Sequence, residues 1–166
     1  MAQYRIGVDL GGTNIAAGIV DAQYTLLRKD SVKTAIPRPA ESICDDIAAL
    51  CRRLCTEAGI AWEDVISIGI GSPGIIQNGV VAQADNLHFT DVPLAEMVAT
   101  RTGKPVSLKN DGNAAALGEC LAGSGNGCSS LVAVTIGTGV GGGIILNGQI
   151  WEGFNGAGGE IGHMII

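Results

Sequence analysis

The chain is expected to be an α/β protein built from two related lobes, the second of them incomplete. Three observations carry that expectation. Strand-like and helix-like segments alternate along most of the 166 residues. A strand–glycine turn–strand unit occurs twice, around Gly11-Gly12-Thr13-Asn14 and around Gly137-Thr138-Gly139-Val140-Gly141-Gly142-Gly143. Hydrophobic residues make up 46% of the chain and charged residues 16%, which supports a packed core rather than disorder.

The elements follow in order. Tyr4–Leu10 reads as a strand because Ile6, Val8 and Leu10 alternate toward one face. Residues 15–21 are strand-like again after the first glycine turn, and residues 26–34 form a weaker third strand. Residues 41–58 are helical: Ile43, Ile47, Leu50, Leu54 and Ala58 recur at helical spacing and Gly59 ends the run. A short strand over 65–71 enters the turn Ser72-Pro73-Gly74. Residues 92–102 read as a helix with Pro93 in its first turn and Gly103 after its end. A strand over 106–109 precedes a helix of small residues over 112–122. Leu131–Ile136 and residues 143–146 are strands around the second glycine turn.

The hairpin that restarts after this alternation suggests an internal duplication. Residues 1–118 are taken as a small N-terminal α/β lobe and residues 119–166 as the start of a second, larger one. His163-Met164-Ile165-Ile166 is apolar and strand-like, so the chain is expected to break off within a strand. The sheet begun over 131–146 is then expected to leave apolar surface uncovered, and the fragment alone to be inactive.

Composition narrows the function. A formal charge of −6 with no basic stripe argues against nucleic acid as a partner. No apolar run approaches membrane-spanning length, and no signal-peptide pattern precedes the first strand. Five cysteines, an odd number without disulfide-like spacing, fit a reducing cytoplasm. Cys44, Cys51 and Cys55 share one helical face, where they read as small buried hydrophobes rather than metal ligands.

The glycine turns carry the chemistry. Glycine lets backbone N–H groups approach an anion closely. A Walker loop and a Rossmann turn both open a helix, whereas strand-like sequence follows each turn here. The remaining design is a β-hairpin folded over phosphates, although a tight hairpin alone also accounts for Gly11-Gly12. Asp9 stands beside the first turn, where a carboxylate near phosphate calls for an intervening Mg²⁺ ion; a solvated strand-end aspartate is the alternative. Asn110-Asp111 ends a strand, the place where ligands of open α/β sheets gather. Asp111 there has two readings, a base that takes a hydroxyl proton during phosphoryl transfer and a helix N-cap. Asn86, Glu160 and His163 supply hydrogen-bonding groups of the kind that bind sugar hydroxyls, although His163 taken alone reads more readily as a structural residue.

Five segments in this order resemble the ROK family (repressors, open reading frames, kinases), and bacterial ROK glucokinases in particular. They are Val8-Asp9-Leu10-Gly11-Gly12-Thr13-Asn14, Gly71-Ser72-Pro73-Gly74, Asn110-Asp111-Gly112-Asn113-Ala114-Ala115, the run from Gly137 to Gly143, and Gly158-Gly159-Glu160-Ile161-Gly162-His163. The resemblance implies the actin-like, ribonuclease H-like ATPase fold and transfer of the ATP γ-phosphoryl group to O6 of a hexose, glucose above all. It implies Asp111 as the base, and Gly71, Asn86, Asn110, Glu160 and His163 with Asp111 as sugar ligands. Asp9, Gly11, Gly12, Thr13 and Asn14 match the first phosphate and Mg²⁺ segment, and Thr138 and Gly139 the second. His163 resembles a Zn²⁺ ligand, which applies only to a full-length parent. A homodimer or homotetramer is expected at full length.

Alternatives within the family are kinases for N-acetylmannosamine, N-acetylglucosamine, fructose or allose, and sugar-responsive transcriptional regulators. The regulators carry a helix-turn-helix before the first strand, for which Tyr4 leaves no room. A non-catalytic actin-like protein would not need the segment from Glu160 to His163. One local departure is Gly112, where the family usually has alanine; it is expected only to weaken the helix start slightly.

Overall fold

The structure, a computed structural model, describes residues 3–137, 139–154 and 156–164. The chain forms two compact units, Met1–Lys109 and Asn110–Ile166. A boundary after residue 118 would instead pass through the helix Asp111–Ala122, which the compact units keep whole.

The first unit holds strands β1 (Tyr4–Leu10), β2 (Asn14–Val20) and β3 (Leu26–Lys33), helix α1 (Ala40–Ala58) and strand β4 (Val65–Ser72). Three short strands follow, β5 (Ile75–Gln77), β6 (Val80–Ala84) and β7 (Phe89–Val92), then helix α2 (Leu94–Thr102) and strand β8 (Val106–Asn110). The main sheet runs in the order β3-β2-β1-β4-β8; β1 is antiparallel to β2 and parallel to β4. Period-two alternation buries Ile6, Val8 and Leu10 of β1 and Ile15, Ala17 and Ile19 of β2. They form one core with Ile43, Ile47, Leu50 and Leu54 of α1, each wholly or almost wholly buried. Burial of each such side chain stabilises the fold by about 1.5–3 kcal/mol. Cys44, Cys51 and Cys55 line the same face of α1 as buried free thiols. Burial pushes Cys44 up to about 11 and Cys51 up to about 12.

The sheet β5-β6-β7 is antiparallel throughout and is absent from the expected element order. Its strands are three, five and four residues long, too short for alternation to show. The usable signal was Asn78-Gly79, whose positive φ angles of 49° and 82° suit the tight turn between β5 and β6. Val92 belongs to β7, so α2 begins only at Leu94 with Pro93 just before it.

The second unit holds helix α3 (Asp111–Ala122) and strands β9 (Leu131–Ile136), β10 (Val140–Leu146) and β11 (Gln149–Ile150), in sheet order β11-β10-β9. Ala116 and Cys120 of α3 pack on Ile145, Leu131 and Ala133. The other apolar side chains of β9, Val132, Val134 and Ile136, are exposed, as are Val140 and Leu146. The uncovered apolar sheet surface expected over this segment is therefore present. The second glycine run is mostly strand rather than turn: Gly141, Gly142 and Gly143 all lie within β10. His163 lies in a 3-10 turn, Ile161–His163, not in a strand; Ile165 and Ile166 are outside the described residues.

Candidate functional site

In the first unit the site begins where β1 ends. Asp9 is paired in register with Ala16 of β2 and Gly71 of β4, so two of the sequence-predicted residues stand side by side on the sheet. Alternation buries Val8 and Leu10 and leaves Asp9 exposed between them. The turn from Gly11 to Asn14 is closed by the Gly11 N–H, which donates to the Asn14 carbonyl at 3.0 Å. A wholly buried threonine braces it from β3's end. The Thr34 hydroxyl donates to the Gly11 carbonyl at 2.6 Å, and the Thr34 N–H donates to the Thr13 carbonyl at 3.0 Å. Sequence reasoning missed Thr34, since one threonine after an exposed strand carries no pattern.

The fold also brings Asn86 to this turn. A Cβ built on Gly12 would lie 2.9 Å from the Asn86 carbonyl oxygen, a backbone atom with little room to retreat. Glycine at 12 is therefore required by close approach of the 3-10 turn Asp85–Leu87. Asn86 itself is exposed.

In the second unit the first turn of α3 bears on the capping reading of Asp111. Asn110, not Asp111, is the N-cap: its side-chain oxygen accepts from the N–H groups of Gly112 at 2.9 Å and Asn113 at 3.3 Å. Asp111 stands one position inside the helix, exposed, with one carboxylate oxygen 2.8 Å from the Gly112 N–H. The capping duty is met by its neighbour. The Asp111 carboxylate keeps acceptor capacity toward solvent, which a proton-accepting group needs.

The glycines of β10 explain how that turn is held. A Cβ on Gly143 would lie 2.6 Å from both the Ala116 Cβ and the Gly112 carbonyl oxygen. One on Gly112 would lie 2.5 Å from the Gly142 carbonyl oxygen. Helix and strand thus approach backbone to backbone, and Gly112 is not the mild helix weakener expected from sequence. On the other side, a Cβ on Gly142 would meet the Ile161 side chain at 2.6 Å. These three glycines serve packing; the turn itself is left to Gly137 and Gly139, whose N–H and carbonyl bond at 2.9 Å. Gly139 is exposed, and Thr138 lies outside the described residues.

Glu160, which precedes the 3-10 turn Ile161–His163, and His163, which ends it, are both exposed, with His163 Nε2 3.9 Å from Glu160 Oε2. Among the described residues no three His, Cys, Asp or Glu side chains converge on a point that would hold a metal ion. The exposed carboxylate of Asp9 is of the kind that holds Mg²⁺, which binds through one or two carboxylates together with substrate phosphates and water. A structural Zn²⁺ site takes four N or S donors, of which His163 could supply one.

A family model described as "ROK family" matches residues 5–166. The chain belongs to the ROK family. Glucokinase of Streptomyces coelicolor is 40% identical over 161 residues, covering 96% of this chain and 49% of that protein. The ROK glucokinase of Streptomyces griseus, solved with glucose and AMPPNP, superposes with a TM-score of 0.85 at 40% identity, over 97% of this chain and 50% of that one. The xylose repressor of Caldicellulosiruptor bescii is 32% identical over 97% of this chain and 41% of its own. The chain thus spans about half the length of the glucokinases it matches. Its α/β architecture is that of the ROK kinases, the actin-like ATPase fold, present here in part.

Proposed function

We propose that the full-length protein is an ATP-dependent sugar kinase that phosphorylates a hexose at O6, glucose to glucose 6-phosphate. The observation that carries this reading is the division of labour at α3, where Asn110 caps the helix and Asp111 stays exposed. Likeness to glucokinases at 40% identity supports it.

In this reading the sugar hydroxyl attacks the γ-phosphorus, Asp111 takes the hydroxyl proton, and ADP leaves. Gly71, Asn86, Asn110, Glu160 and His163 orient the hexose. Gly11, Gly12, Thr13 and Asn14 hold phosphate, with Thr138 and Gly139 as the second phosphate segment. Asp9 is the carboxylate toward Mg²⁺, which when bound neutralises charge on the transferring group. Zinc at His163 belongs only to a parent carrying further ligands. The five free thiols accord with the cytoplasm as the compartment, and no described helix is long and apolar enough to cross a membrane. A homodimer or homotetramer at full length completes the proposal.

The repressor relative supports a second reading, a sugar-responsive regulator that binds a sugar without phosphorylating it. A panel of hexoses and N-acetylhexosamines with ATP, scored for phosphate-ester formation, separates the two and identifies the sugar. Asp111→Ala is expected to lower kcat by about 10²–10⁴-fold, with glucose binding by calorimetry changed less than about fivefold. Turnover near the wild-type level in that variant would remove Asp111 from the role of base.

A further inference from the structure

Asn113 is 3% exposed, and its Oδ1 is buried with no hydrogen-bond partner. Buried polar atoms in folded proteins are almost always paired, so an orphaned acceptor beside a candidate site calls for a reason. The surroundings supply one. Asn113 sits in the first turn of α3, two residues beyond Asp111, with its N–H bonded to Asn110 Oδ1 at 3.3 Å. A Cβ on Gly143 would come within 3.0 Å of the Asn113 Cα, so β10 is pressed against this position. A Cβ on Gly159 would come within 3.1 Å of Asn113 Oδ1. Gly159 is buried and directly precedes Glu160. The Asn113 amide therefore stands between the helix turn that carries Asp111 and the segment that carries Glu160.

An alanine at 113 would be the better helix former and would leave no acceptor unpaired. Retaining asparagine makes sense if the amide does something for the segment it touches. We propose that Asn113 is a positioning residue for the sugar site. Its buried side chain packs beside Gly159 and so sets the place of Gly158-Gly159-Glu160 relative to the first turn of α3. The inference rests on the proposed kinase function for its kinetic consequence, but the positioning itself is measurable without turnover.

The test uses the full-length protein with Asn113→Ala and Asn113→Asp. By hydrogen exchange without ligand, amides of residues 156–163 in N113A are expected to exchange at least about fivefold faster, while those of 117–122 keep their protection. In steady-state kinetics N113A is expected to raise the hexose KM about tenfold, with kcat and the ATP KM within about threefold of wild type. N113D keeps the shape but puts a carboxylate with no partner into a site 3% exposed, so its hexose KM is expected to rise at least as far as that of N113A. Unchanged exchange over 156–163 in N113A would overturn the proposal, as would a fall in kcat with KM unchanged. A hexose KM in N113D within about threefold of wild type would overturn the buried placement of this side chain on which the proposal rests. A wild-type protein that phosphorylates no hexose would refute the kinase reading instead, and the exchange result would still decide the positioning role.

Discussion

The same substitution at two positions of α3 should move stability in opposite directions. Gly118 is exposed in mid-helix, and a Cβ there would meet nothing within 4 Å. Gly118→Ala therefore gains only the helix preference of alanine, about 0.5–1 kcal/mol. At Gly112 the added Cβ would lie 2.5 Å from the Gly142 carbonyl oxygen and 3.1 Å from its C and N. These are backbone atoms of a paired strand and do not swing aside as a flexible side chain would. Forcing a methyl group into a packed interior costs about 1–3 kcal/mol. Set against the propensity gain, Gly112→Ala should lose roughly 0.5–2 kcal/mol net. At about 2–4 °C per kcal/mol for a chain of this size, Tm should fall by roughly 1–8 °C in G112A and rise by roughly 1–4 °C in G118A. Thermal unfolding followed by far-ultraviolet circular dichroism measures both. If G112A melted at or above wild type, the close approach of α3 to β10 would be wrong. A fall in both variants would show that propensity has no bearing on this helix.

Two further outcomes are expected. Thr34→Val keeps shape but removes the 2.6 Å bond to the Gly11 carbonyl; it should cost about 1–2 kcal/mol in urea unfolding and raise the ATP KM several-fold, and an unchanged KM would detach Thr34 from the phosphate turn. The buried thiols set an alkaline limit: Cys44 and Cys51, raised from 9.0 to about 11 and about 12, stay neutral in the folded chain where the unfolded chain ionises. Stability is thus fully present below about pH 9 and falls as pH rises, by up to about 1.4 kcal/mol per pH unit for each thiol. Unfolding free energies at pH 8, 9 and 10 should show that slope, and Cys51→Ala should flatten it; a parallel shift with no change in slope would refute the assignment.

Where a residue's role is set by its own neighbours in the chain, it was readable. The apolar stripe of α1, its stop at Gly59, the alternation in β1 and β2 and the small-residue character of α3 all follow from local periodicity. The small sheet β5-β6-β7 was not read, because strands this short show no period and their Asn78-Gly79 turn signal went unused. Asn147-Gly148, with φ angles of 52° and 74°, marks the turn into β11 in the same way. Thr34 and Asn113 had no signal of their own, since a buried polar side chain is recognised only by what surrounds it.

By itself, the sequence determined the α/β class, the family and the residue types placed at strand ends, because these depend on pattern and order. Only the tertiary structure decided what the glycines do. Seen in sequence, Gly139 to Gly143 form one turn suited to phosphate. Folded, Gly141 to Gly143 belong to a strand, and Gly112 and Gly143 face each other across a helix–strand contact too close for a Cβ. The absence of a side chain permits a sharp turn, an anion contact or a close packing alike. Which of these applies depends on atoms distant in the chain that come to lie against the backbone.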